Sequence, residues 1–244
     1  MFFRVFMSAL MAGVLAGLIV SAVQMATTTP LILEAEKYET AARLPPPAAL
    51  PGARTADHGH SPAAATGAPH DHGDGWAPTE GIERTLFTAL TNIVAGFGFA
   101  LLIAGGFALS GRPVDMASGL LWGLAGFATF TLAPGLGLPP ELPGMATAGL
   151  APRQGWWLFA AAATALGLCL IVFRQNWLIR LAGAVFLILP HAVGAPHPPA
   201  PASAVPPELA AQFVSASIVT AAVFWLLLGA IAASAWRRLG RSDG

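Results

Sequence analysis

The chain has 244 residues, 55% hydrophobic and only 10% charged. Soluble domains carry about 25% charged residues, so a mean hydropathy of +0.66 points to an integral membrane protein. Twelve basic and twelve acidic residues cancel, which removes nucleic acid as an expected partner. The single cysteine, Cys169, excludes an internal disulfide and a thiolate metal cluster. The single lysine, Lys37, lies in no G-x-x-x-x-G-K-[ST] motif, which excludes P-loop ATP hydrolysis.

The first predicted element is an uncharged apolar run over 5–25. Crossing roughly 30 Å of hydrocarbon takes about 20 apolar residues. Arg4 ahead of the run also fits a secretory signal, with Val20-Ser21-Ala22 as a passable cleavage site. The run exceeds the roughly 7–15 residues of a signal core, so a retained helix within 1–26 is preferred.

A long loop follows over 27–85. Its start, 30–39, reads as a short helix with Thr29 as N-cap and Pro30 at the first helical position. The stretch 41–77 is dominated by Pro, Ala, Gly and His, a composition too poor in apolar volume to build a core. It holds Asp57-His58-Gly59-His60 and His70-Asp71-His72-Gly73-Asp74, four of the chain's six histidines. Imidazole suits Co, Ni, Cu and Zn, and carboxylates complete a mixed shell. His58, His60, His70 and His72, with Asp57, Asp71 and Asp74, are therefore candidate ligands for loose metal capture. The competing reading is a hydrophilic linker. An ordered catalytic zinc is disfavoured, because a Pro/Ala/Gly tether supplies no rigid ligand set.

Five more apolar runs occupy 86–109, 116–133, 156–173, 177–193 and 213–236. The run at 177–193 is the weakest, because Arg180 lies one turn in, where it can snorkel to the headgroups. The expected fold is all-α, a polytopic bundle of about six spans with five as the alternative. The transmembrane body covers 86–236 after the first helix, and 237–244 forms a tail. With the N-terminus inside, Arg4, Arg112, Arg174, Arg180, Arg237, Arg238 and Arg241 are cytoplasmic, while ten of the twelve acidic residues are outside. That distribution supports both termini in the cytoplasm. Gly13-x-x-x-Gly17 and Gly119-x-x-x-Gly123 read as helix-packing faces. Trp156, Trp157, Trp177 and Trp236 lie at span ends and read as an interfacial belt.

Polar groups within hydrocarbon are costly and few. Gln24 closes the first span, and Thr88 and Asn92 lie one turn apart on the second. Glu83 and Arg84 precede that span, readable as an interfacial ion pair, and His191 follows Pro190. These groups either line an ion path or satisfy one another between helices. No acidic residue falls mid-span, which argues against a self-sufficient proton-coupled carrier. An intramembrane enzyme is disfavoured, since H-E-x-x-H and a nucleophile–base arrangement near a span are both missing.

An ordered series of motifs resembles the CbtA family, a proposed cobalt transporter membrane subunit. It runs from Pro30-Leu-Ile-Leu-Glu-Ala-Glu with Tyr38-Glu39, through Trp76-Ala-Pro-Thr-Glu-Gly-Ile-Glu-Arg84 and Asn92, to Gly98-Phe-Ala-Leu-Leu102. It continues with Gly119-Leu-Leu-Trp-Gly-Leu-Ala-Gly-Phe127, residues 133–144, Arg153-Gln-Gly-Trp-Trp157, Pro190-His191, Gly194-Ala-Pro196 and Phe224-Trp225. The resemblance implies a multi-span inner-membrane protein serving cobalt uptake and cobalamin biosynthesis. It implies a small single-span, histidine-rich partner of CbtB type, and five spans rather than six. It carries over no binding residues.

The expected function is uptake of divalent cobalt, with Ni2+ or Zn2+ as alternatives and no tightly bound cofactor. The loop histidines would collect the ion. Glu34, Glu36, Glu83 and His191 would receive it at the membrane surface, and Gln24 and Asn92 would line its path. The alternative is a non-transporting accessory protein that delivers metal to a separate permease. The lipid bilayer is the obligatory environment, and self-association stays open.

Overall fold

The computed structural model describes residues 1–43, 78–79, 81–198 and 203–241. Among them there are helices and no strands. In chain order these are α1 (Phe2–Ala26), α2 (Thr28–Arg43), α3 (Ile82–Ser110), α4 (Met116–Phe127), a π-helical turn (Ala128–Leu132), α5 (Ala133–Gly137), α6 (Leu150–Phe173), α7 (Trp177–Val193) and α8 (Pro207–Arg241).

The boundaries follow from local chemistry. Pro30 has no N–H to offer the carbonyl of Ala26, the last residue of α1. The chain bends at Thr27 and restarts as α2 at Thr28, two residues before the expected first helical position. Helix α3 stops at Gly111, which takes a left-handed φ of 61°, with Pro113 two residues on. Helix α4 opens on a reciprocal cap. The Ser118 N–H donates to Asp115 Oδ1 at 2.7 Å, and the Asp115 N–H donates to Ser118 Oγ at 2.8 Å.

This cap yields a pH prediction. The Ser118 N–H, and then its hydroxyl, hold the Asp115 carboxyl below the usual carboxylate range. Its contribution is therefore complete above the unfolded value of about 4 and is lost as pH falls through the lower folded value. Asp115→Ala should lower Tm in detergent by a few degrees at pH 7. The gap from wild type should close as pH falls through that lowered value. Melting curves of both proteins across that range check it.

Five of these segments are long and apolar enough to cross a membrane: Phe2–Ala26, Ile82–Ser110, Met116–Gly137, Leu150–Phe173 and Pro207–Gly240. Helix α7, at 17 residues, is shorter. The contacts nevertheless give α7 a full pass. Arg4 Nε donates to the Trp236 carbonyl at 2.7 Å, so the start of α1 and the end of α8 share one end of the bundle. An even number of passes is needed for that, and α7 supplies the sixth. It returns along α6, with Gly183 against Gly167 and His191 edge-on to Trp156.

Close backbone approach holds the bundle together. Gly13 and Gly17 let α1 lie on the α3 backbone at Gly96, Phe97 and Ile93. Gly119 and Gly123 let α4 lie on α8 at Gly229 and Trp225. A core of Ala9, Ala12, Ala16, Ala100, Ile103, Phe107, Leu228 and Ala232 fills the space between α1, α3 and α8. At the opposite end from Arg4, α2 lies across the bundle. Its Ala35 packs with Leu142, Val205 and Phe213 in a second, smaller core.

Two of the four tryptophans expected in the belt depart from it. Trp177 is 69% exposed, as an anchor should be, but Trp156 and Trp236 are only 7% exposed. Trp156 covers Gly137, and Trp236 lies beneath the Arg4 guanidinium. Helices α6 and α8 extend past the apolar runs, so these rings meet protein neighbours before they meet headgroups.

Candidate functional site

The polar groups expected between the helices come together on α1 and α3. Ser21 and Gln24 lie three residues apart on α1, hence on one face. Asn92 of α3 faces them. Its Nδ2 donates to Gln24 Oε1 at 2.7 Å and to Ser21 Oγ at 2.9 Å. Ser21 is buried and also donates to the Gly17 carbonyl at 2.7 Å. Gly17 allows α3 to approach closely enough for these short bonds, because its missing Cβ would lie 2.7 Å from Ile93 Cα. Thr88 does not join the cluster. Its hydroxyl donates to the Arg84 carbonyl at 2.8 Å.

The acidic groups lie at the same end, around α2. Arg84 Nη2 donates to Glu36 Oε1 at 2.6 Å, and Nη1 to Glu36 Oε2 at 3.3 Å. This two-pronged pair ties α2 to the start of α3. It corrects the expected pairing of Arg84 with its neighbour Glu83. Adjacent helical residues point about 100° apart, whereas α2 lies directly over α3's first turn. Glu83 instead accepts from the Thr79 N–H at 3.0 Å and from the Thr79 hydroxyl. Glu34 pairs with Lys37 at 2.6 Å, and these hydrogen bonds and charges raise the Lys37 pKa above its ordinary value. Arg153 pairs with Glu141 at 2.5 Å beneath the same surface.

His191 is exposed at the end of α7, beside Trp156 at 6.1 Å between ring centres. Glu34, Glu36, Glu83 and His191 thus share one end of the bundle, each in its own setting. Among the described residues, no three His, Cys, Asp or Glu side chains stand together so as to hold a metal ion. Asp57, His58, His60, His70, Asp71, His72 and Asp74 lie outside the described residues.

The match to known proteins fits this arrangement of apolar helices with a polar end. A family model described as "Probable cobalt transporter subunit (CbtA)" matches residues 2–237. The chain belongs to the CbtA family. No curated protein and no solved structure matches it. Membership makes the bundle that of a multi-pass membrane protein and a subunit of a transport system, which is not an enzyme class.

A further contact joins α8 to the π turn in this CbtA chain. Where α4 loosens into the π turn, Trp225 Nε1 of α8 donates to Thr131 Oγ1 at 3.1 Å. Phe130 stacks on Trp225 with the rings 7° from parallel, and Phe99 packs at 4.7 Å. Pro134, just past the turn, cannot donate to the Phe130 carbonyl, and a wider turn accommodates that missing bond. Proline after an apolar run marks such a spot in sequence, but its partner helix does not follow from spacing.

Proposed function

We propose that the chain is the inner-membrane subunit of a divalent cobalt uptake system supplying cobalamin biosynthesis. The observation that carries the reading is the family match over 2–237. The arginine end, with Arg4, Arg112, Arg174 and Arg180, is cytoplasmic by the positive-inside rule. The α2 end then faces outward, and the loop histidines His58, His60, His70 and His72 collect the ion there with Asp57, Asp71 and Asp74. Tethering keeps the ion's local concentration near the millimolar range. Glu34, Glu36, Glu83 and His191 receive it at the surface, and Gln24 and Asn92 form the first polar step between helices. Co2+ is cargo here. A small single-span, histidine-rich chain is the expected partner.

Two expected results test the collector. Replacing His58, His60, His70 and His72 with Ala raises the cobalt concentration for half-maximal uptake about tenfold and leaves the maximal rate intact. Loss of uptake at saturating cobalt would remove the collector role. Capture by wild type also fades below about pH 6 as the imidazoles protonate. Capture unchanged from pH 7.5 to about 5 would assign it to the carboxylates.

The close backbone packing of α1 on α3 at Gly13 and Gly17 favours a second reading, an accessory subunit that hands metal to a separate permease. Cobalt flux into liposomes containing this chain alone supports transport. Flux that requires a second chain supports the accessory role.

A further inference from the structure

At the arginine end, the start of α1, the α3–α4 turn and the last turns of α8 line an open cleft of about 600 Å³. Its walls include Phe107 and Val114 on the apolar side and Arg4 and Arg112 on the polar side. Arg4 is fixed in direction. Its Nε–H donates to the Trp236 carbonyl, and its guanidinium lies 4.2 Å over the Trp236 ring. Arg112 lies 5.0 Å over the Phe173 ring. Among the described residues, neither guanidinium has a carboxylate partner, and the remaining side-chain N–H groups of both have no acceptor. Asp115, the nearby carboxylate, is engaged by the Ser118 cap and feels Arg237.

Two guanidiniums that have no carboxylate partner among the described residues, on residues lining one cleft with an apolar wall, match a phosphate group in charge and in donor type. Basic pockets between transmembrane helices on the cytoplasmic side hold lipid headgroups in this way. We propose that this cleft is a phosphate-binding site, with Arg4 and Arg112 as its ligands. The proposal stands apart from the cobalt reading, since it uses none of the residues assigned to the ion.

Native mass spectrometry of the full chain in neutral detergent tests it, with phosphatidylglycerol and phosphatidylcholine as probes. Wild type should bind phosphatidylglycerol at least about tenfold more tightly than phosphatidylcholine. Arg4→Gln with Arg112→Gln should remove that preference. If the double variant does not assemble, Arg112→Gln alone, at an exposed turn, should weaken binding severalfold. Arg237→Gln with Arg238→Gln, two exposed charges at the same end, should leave binding within about twofold of wild type. An unchanged preference in the Arg4/Arg112 variant, or equal loss in the Arg237/Arg238 variant, overturns the site. Competition by millimolar inorganic phosphate would mark free phosphate as a sufficient ligand. Its failure to compete would mark the lipid headgroup, and the phosphate site stands in both cases.

Discussion

Gly229→Leu is expected to leave no assembled protein after extraction in mild detergent. A Cβ at Gly229 would overlap the Gly119 carbonyl oxygen and lie 2.9 Å from Gly123 N. Those neighbours are backbone on a packed helix and cannot rotate away. The penalty therefore exceeds the roughly 1–3 kcal/mol of ordinary overpacking, in which side chains adjust. Gly98→Ala and Gly105→Ala are the internal controls. Nothing lies within 4 Å of a Cβ at either position, so both should be neutral or stabilising by up to about 1 kcal/mol. Size-exclusion profiles of the three variants check the contrast. A monodisperse Gly229→Leu protein would show that α4 and α8 do not meet here.

The second large effect concerns the polar cluster. Asn92→Leu leaves Gln24 Oε1 and Ser21 Oγ without their shared donor, at about 1–2 kcal/mol. Replacing Gln24 and Asn92 with Leu together removes both polar ends, so the bundle should recover most of its stability. Cobalt uptake should not recover. We expect at least a tenfold fall in the double variant while assembly stays near wild type. Uptake at the wild-type rate would reduce the cluster to an interhelical hydrogen-bond site. The two variants separate the roles because stability and uptake move in opposite directions between them.

Most of the architecture was legible because apolar length is dictated by the bilayer. The runs at 86–109 and 177–193 correspond to α3 and α7, and the run at 5–25 to α1. Helix ends were less legible. Helix α8 has 35 residues, about 52 Å at 1.5 Å per residue, so both its ends pass the hydrocarbon and carry polar residues that a search for uncharged runs discards. The run at 116–133 concealed the π turn, whose cause includes the distant Trp225. At the site, Ser21 was missed although it shares a helical face with Gln24. Its role depends on which helix lies opposite, and that is a tertiary fact. Arg84 was assigned its neighbour in sequence, whereas α2 folds back to bring Glu36 over it. The pass made by α7 was ambiguous by length and is fixed by the meeting of Arg4 with Trp236.

Capture from the exterior requires the histidine-bearing loop to lie on the outer face of the membrane. Cys169 is exposed, so it is first replaced by Ser. In that background, Gly59→Cys and Arg238→Cys are labelled in intact cells with a membrane-impermeant maleimide. The account predicts labelling at position 59 from outside, and at 238 only after permeabilisation. The reverse pattern would put the histidines in the cytosol and contradict capture from the exterior.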